Sequence, residues 1–211
     1  IAYLVGEREF FSMPFLVDAR VLIPRPETEV LVQDALESIA AAPGAIQSIV
    51  DVGCGSGIVP IVLKDRFPAL SVRGIDRSAD ALWVARTNAR RHGVDVEWIE
   101  GDLLSAVEGP LDLITANLPY IPTPELDSLD PGVRNFEPTL ALDGGPDGLD
   151  LIRRLVPQAQ KKLRAGGILL LEFGMGQSPS IQEVLRAHGF SIERVRADLA
   201  SIPRVIRARK P

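Results

Sequence analysis

The chain has 211 residues, is 46% hydrophobic and 24% charged, and carries a formal net charge of −5. That length fits one domain with at most a small appendage, and the acidic balance argues against a general basic field for nucleic acid. One cysteine (Cys54) and two histidines (His92, His188) exclude a disulfide framework and point to no metal centre. No apolar run reaches membrane-spanning length and no signal peptide is visible, so a soluble, monomeric, cytoplasmic protein without a membrane partner is expected. The first residue is Ile, so a missing upstream segment is expected as well.

From the start of the chain, aromatic and apolar residues around Gly6, then Phe15-Leu16-Val17 and Val21-Leu22-Ile23, predict short strands forming a hairpin. Pro24-Arg25-Pro26 stops them. Pro26 suits a first helical turn and Glu27 and Glu29 suit its positive end. Val30, Leu31, Leu36 and Ile39 give an apolar face to a helix over 27–41. Residues 1–43 are thus expected as a hairpin and linker helix ahead of a main domain over 44–211. In that domain, strands are predicted at 48–52, 70–75, 94–99, 111–116 and 168–173, with closing strands at 190–195 and 204–208. Helices are predicted at 58–67, 78–92, 150–163 and 178–187. This alternation implies an α/β fold: a doubly wound, mostly parallel seven-stranded sheet with helices on both faces. The Pro/Gly-rich stretch 119–148 is the one long irregular region, and such loops in compact domains are usually functional or disordered.

Three successive strand ends carry chemistry. Asp51-x-Gly53-Cys54-Gly55-Ser56-Gly57 lies between a strand and a helix, where glycines allow a sharp turn and close ligand approach, and the helix start offers free N–H groups. Asp76 ends the next strand, where a carboxylate can hold both hydroxyls of a ribose. Asp102, followed by Leu103, ends the third and can accept from an adenine amino group. A plain tight turn and solvated strand ends are the alternatives. The G-x-G-x-G spacing differs from the dinucleotide G-x-G-x-x-G, and no Lys-Ser/Thr of a phosphate loop follows. An adenosine ligand without phosphates fits better, which points to S-adenosylmethionine. Cys54 reads as a small loop residue.

The fourth strand, Leu111–Ala116, runs into Asn117-Leu118-Pro119-Tyr120. Asn117 offers a carbonyl acceptor at a strand tip. Leu118 precedes a proline, which pushes its backbone toward an extended form and can turn its carbonyl outward. Pro119 fixes the turn, and Tyr120 supplies a flat face for a planar group. Two acceptors and a ring suit a planar NH2 group; a strand end, a turn and a core tyrosine are the alternative.

The chain resembles the class I S-adenosylmethionine-dependent methyltransferases, with their Rossmann-like fold, and within them the release-factor glutamine-N5 methyltransferases of the HemK/PrmC type. The resemblance spans nearly the whole chain. Its most specific part is Pro24-Arg25-Pro26-Glu27-Thr28-Glu29, joined by Gly6–Phe10, Asp51–Gly57, Asn117–Tyr120, Phe136-Glu137-Pro138 and Gly144-Gly145-Pro146-Asp147-Gly148. The family's usual tetrapeptide is Asn-Pro-Pro-Tyr, so Leu118 departs from it while keeping the backbone carbonyl. The resemblance implies transfer of a methyl group to the side-chain amide of the glutamine in a release factor's Gly-Gly-Gln. It implies cofactor contacts at residues 53–57, Asp76, Asp102, Leu103, Asn117 and Thr28, catalytic contacts at residues 117–120, and an upstream helical docking domain. No metal and no direct nucleic-acid contact are expected.

Two readings compete: an amino-methyltransferase acting on adenine or on another ribosome-associated protein, whose catalytic tetrapeptide has the same chemistry, and a non-catalytic cofactor-binding protein. Among the remaining residues, Arg25 and Glu27 suggest a salt-bridged helix start as readily as a site contact. Glu172 reads as structural, Trp83 and Trp98 as core packing, and Arg204, Arg207, Arg209 and Lys210 as a solvated strand and tail.

Overall fold

The computed structural model describes residues 2–211. Helix α1 (Ala2–Val5) leads into an antiparallel hairpin, β1 (Glu7–Phe10) and β2 (Met13–Leu16), and then α2 (Thr28–Ala41). Next come β3 (Ser48–Val52), α3 (Ile58–Arg66), β4 (Ser71–Asp76), α4 (Ala79–His92), β5 (Glu97–Glu100) and β6 (Leu111–Ala116). The 119–148 stretch holds 3-10 turns at Thr123–Ser128 and Thr139–Ala141 around a one-turn helix, α5 (Pro131–Arg134). The chain closes with α6 (Asp150–Lys162), β7 (Leu163–Glu172), α7 (Ser178–Ala187), β8 (Ser191–Ala197) and β9 (Pro203–Arg209).

The seven main strands run in the order β5-β4-β3-β6-β7-β9-β8, parallel except for β9, which is antiparallel to both its neighbours. Successive side chains on a strand point to opposite faces, so each central strand feeds two cores. Ile49, Leu113, Ile168, Leu170 and Val205 pack with α2 and α3. Val50, Ile114, Leu169, Leu171 and Ile206 pack with α6 and α7. Burial on both faces is why these strands read as continuous apolar runs and not as alternation. From β3 the chain winds outward through β4 and β5, then returns to β6 on the other side of β3. The crevice between the carboxyl ends of β3 and β6 is therefore the topological switch point at which open α/β sheets bind ligands.

Several expectations are corrected. Val21-Leu22-Ile23 is not a strand; Val21 is buried, its N–H bonded to the Asp18 carbonyl in a turn. The strand expected at 168–173 starts earlier, at Leu163. β7 begins directly after α6, and Gly166, with φ +76°, lies inside the strand, its N–H bonded to the Lys210 carbonyl. Trp83 is half exposed, with the Arg20 guanidinium 4.2 Å from its ring centroid. The C-terminal basic run is not solvated. Arg204 pairs with Asp198, Arg207 with the fully buried Asp34 and with Glu193, and Lys210 donates to the Gln160 and Leu163 carbonyls. Among the described residues, no helix is long and apolar enough to cross a membrane, and no group of three or more His, Cys, Asp or Glu side chains could hold a metal.

Candidate active site

A cavity of about 790 Å³ opens at the switch point. Its walls bring together most of the residues singled out in the sequence: Gly53, Cys54, Gly55 and Ser56 from the loop after β3, Asp76 from the end of β4, Asp102 and Leu103 after β5, Asn117, Leu118 and Pro119 after β6, and Thr28 from the start of α2. Gly57 and Tyr120 do not line it. Gly57 has φ +83° at the start of α3, and a Cβ there would strike the Trp98 ring at 2.8 Å, so this glycine serves packing. Trp98 lies over both Gly57 and Gly74, in keeping with the packing role expected of it.

The loop glycines show why ligand approach is possible. Gly55 has φ +52°, and a Cβ on it would meet no protein atom within 4 Å. The Gly55 N–H donates to Asp76 Oδ2 at 2.9 Å, and the Ser78 N–H donates to Oδ1 at 2.9 Å. The carboxylate is thereby fixed at the strand end with lone pairs to spare for hydroxyl groups. Burial pushes the Asp76 carboxyl up despite these bonds. Asp51, fully buried beneath the loop, accepts from Thr115 Oγ1 at 2.6 Å across the β3–β6 ladder; burial, with Asp76 nearby, raises it to about 7. Cys54 is buried, and desolvation pushes its thiol well up, leaving it inert. Asp102 is half exposed and paired with Arg154.

Aspartates 51, 76, 80, 102, 143 and 150 border the cavity against arginines 20, 25, 77 and 154. Three of those arginines are already paired, with Asp18, Glu137 and Asp102. Such a wall suits a cationic, hydroxyl-bearing ligand and is poorly matched to a phosphate, since the aspartates outnumber the arginines.

The Pro24–Glu29 turn organises the other half of the site. Arg25 reaches across 112 residues and donates to both Glu137 oxygens at 2.8 Å, so it clamps the 119–148 loop and does not form the helix-start pair with Glu27. Glu137 is buried, and desolvation outweighs its arginine partner to push the carboxyl up. Thr28 Oγ1 accepts from Asn117 Nδ2 at 3.0 Å. That bond turns the Asn117 amide so that Oδ1 is left without a protein donor among the described residues. The Leu118 carbonyl accepts no hydrogen bond from them either, and its N–H donates to none. The Leu118 side chain is 5% exposed and lies in the α6 core; a Cβ on Gly53 would come within 2.9 Å of its Cδ2.

The 119–148 loop folds back so that Ile121 bridges Asp143, and Gly144–Gly148 lies backbone to backbone on Pro119–Tyr120. A Cβ on Gly144 would stand 2.7 Å from the Pro119 carbonyl, and one on Gly148 2.2 Å from the Tyr120 carbonyl. Gln177 Nε2 donates to that same Tyr120 oxygen at 2.8 Å. The Tyr120 ring packs beside Gly174, and burial raises its hydroxyl to about 12. Sequence reasoning quoted Glu137 and the 144–148 glycines only as marks of resemblance and gave them no role. Their contacts lie far apart in the chain, and no local signal announces them.

A family model described as the methyltransferase small domain matches residues 27–127. A release factor glutamine methyltransferase of Bradyrhizobium diazoefficiens is 42% identical over 214 residues, spanning 100% of this chain and 72% of the relative. One from Geobacter sulfurreducens is 40% identical, spanning 99% and 72%. The chain belongs to the release factor glutamine methyltransferase family. The fold of these family members is shared more widely. The crystal structure of magnesium protoporphyrin IX methyltransferase from Synechocystis PCC 6803 with bound SAM superposes with a TM-score of 0.61 at 18% identity, covering 88% of this chain and 80% of that one. At that identity the likeness speaks for the class I methyltransferase sheet alone.

Proposed function

We propose that the protein methylates the side-chain amide nitrogen of a glutamine in a peptide chain release factor, with S-adenosylmethionine as cofactor. The observation that carries this reading is the pair of unengaged acceptors at the end of β6. Asn117 Oδ1 and the Leu118 carbonyl have no donors among the described residues, stand at a cavity wall, and are held from behind by Thr28 and by the 144–148 turn.

When bound, the cofactor would supply an activated methyl group, its C–S bond breaking to leave a neutral thioether as the N–C bond forms; the protein's task is to present the nitrogen, which then releases its extra proton to water. An amide nitrogen is a poor nucleophile because its lone pair is delocalised into the carbonyl. Asn117 Oδ1 and the Leu118 oxygen accept the two amide N–H bonds, holding the nitrogen in one orientation and stabilising positive charge as it develops there. Preorganised acceptors of this kind are usually the largest catalytic contribution, and positioning adds up to about 7–11 kcal/mol in favourable cases. Tyr120, which does not line the cavity, packs beside Gly174 and holds the strand end from behind. Asp76 would hold the ribose hydroxyls, Asp102 and Leu103 would bound the adenine, and the Gly53–Ser56 backbone and Thr28 would receive the amino-acid end. The excess of carboxylates favours the cofactor's positive charge over a nucleotide.

Asn117→Ala tests this directly. Transfer of labelled methyl to a release factor should fall by about 100- to 1,000-fold, as for loss of one stabilising group at a reacting centre. Calorimetric cofactor affinity should change by no more than about threefold, since the ribose and adenine contacts remain. Wild-type-like turnover in that variant would refute the role of the strand end.

A further inference from the structure

One buried group behind the site has no part in the scheme above. Glu172 closes β7 with 2% of its surface exposed, and neither carboxylate oxygen has a hydrogen-bond partner among the described residues. Native proteins rarely leave such atoms unpaired, and those they do leave call for an explanation. The parallel register Ala116↔Leu171 places the next residues, Asn117 and Glu172, side by side on neighbouring strand ends. The Thr28 hydroxyl and the Asn117 amide are its polar neighbours; Glu27 and Arg204 are the charged groups facing it, and Tyr120 lies within its field. Glu172 does not line the cavity, whereas Thr28 and Asn117 both do. Whatever it does to a bound substrate it must do through them.

A threonine hydroxyl has one proton to donate and two lone pairs to accept with. If the Thr28 proton pointed at Asn117, the amide would flip to bring its oxygen to Thr28, and its NH2 would face the substrate. Two donors would then oppose two donors. An acceptor on the far side of Thr28 removes that alternative by drawing the hydroxyl proton away from Asn117. We propose that Glu172 is a positioning residue that accepts the Thr28 hydroxyl proton in a hydrogen bond. Thr28 Oγ1 is then left to accept from Asn117 Nδ2, and Asn117 Oδ1 is held toward the substrate amide. This rests on the glutamine-methylation reading, and it accounts for a buried carboxyl that packing alone would replace with an apolar side chain.

The test uses Glu172→Leu, which removes the acceptor, Glu172→Gln, which keeps one, and Thr28→Val. Wild-type transfer to a release factor is measured first; its absence would refute the glutamine reading, and this role with it, before any variant is made. Given wild-type transfer, Glu172→Leu should lower kcat by about 10- to 100-fold, the scale of a small misplacement of a reacting group. Its calorimetric cofactor affinity should hold, and its Tm should be no lower than wild type, because the desolvation cost of burying a carboxyl outweighs the one hydrogen bond it accepts. Glu172→Gln should keep kcat within about threefold. Thr28→Val should lose as much rate as Glu172→Leu, and the double variant no more than either, because all three break one chain of bonds. Three results would overturn the role: Glu172→Leu turning over like wild type, losses that multiply in the double variant, or Glu172→Leu losing Tm together with rate.

Discussion

Gly148→Ala asks whether the 144–148 turn sets the position of the strand end that carries Asn117. Gly148 has φ +79°, and a Cβ there would stand 2.2 Å from the Tyr120 carbonyl oxygen and 2.6 Å from Gln177 Nε2. Gly176 offers a matched control, with φ +84° and no described atom within 4 Å of an added Cβ. Both alanines bear the left-handed backbone penalty of about 1–2 kcal/mol. Gly148→Ala alone must also push back a main-chain carbonyl and break its bond from Gln177, which leaves a buried acceptor unpaired and adds about 1–3 kcal/mol. For a chain of this size each kcal/mol moves Tm by about 2–4 °C, so Gly148→Ala should melt about 2–12 °C below Gly176→Ala. The displaced Tyr120 is three residues from Asn117, and a shift of roughly 1 Å at a reacting group costs about 100-fold in rate. Single-turnover methyl transfer to a release factor should therefore fall at least about tenfold in Gly148→Ala and stay within about threefold in Gly176→Ala. Equal melting temperatures and equal rates in the two variants would show that the turn does not position the site.

Three further outcomes follow from the same geometry. Arg25→Ala strands the buried Glu137 carboxylate and, with Arg25 itself part-exposed, should destabilise by about 1–3 kcal/mol in denaturant titration; adding Glu137→Gln should restore most of it, and no recovery would dismiss the clamp. Leu118→Pro removes an N–H that donates to no group among the described residues and keeps the carbonyl, so rate should stay within about threefold while the lost core side chain lowers Tm; a rate collapse would mean that the Leu118 side chain matters to turnover. Burial raises Glu172 from the ordinary 4.5 to about 8. Across that window the folded chain keeps a proton that the unfolded chain has released, so this group's contribution to stability falls as pH rises and levels off above the folded value. Glu172→Gln cannot ionise, so its Tm should gain on wild type from about pH 5 to about pH 8 and then hold steady. Asp51 has the same sign in both proteins and drops out of the difference; a Tm gap independent of pH would contradict the buried, protonated carboxyl.

What the sequence disclosed follows the range of the forces involved. β6 matches its predicted bounds, 111–116, because six buried residues in a row are punctuated by Pro110 and Asn117. The helix expected over 78–92 starts where Ser78 caps it, its side chain accepting from the Ala81 N–H at 3.1 Å. The glycine loop and the strand-end acids were legible because an open α/β sheet binds at one edge whatever the ligand. Val21–Ile23 misled because three apolar residues are too few to carry a period. Trp83 misled through composition, although α4 itself held the answer: Leu82, Val84, Ala85, Asn88 and Ala89 form its buried face, and residue 83 falls outside that stripe. Arg207 misled because its buried partner, Asp34, lies far earlier in the chain on α2.

Arg25–Glu137 and Thr28–Asn117 were hidden for that same reason, and they explain why the Pro24–Glu29 run is the most specific mark of the resemblance. It supplies no atom to the chemistry proposed for β6, yet it ties down both the loop and the asparagine on which that chemistry depends. Glu172 was the one site neighbour with a usable local signal. An acid that ends the continuous apolar run Ile168–Leu171, on the strand next to the switch point, is out of place as packing. A buried carboxyl there is worth its desolvation only if something beside it must be oriented, and the residue beside it is Asn117.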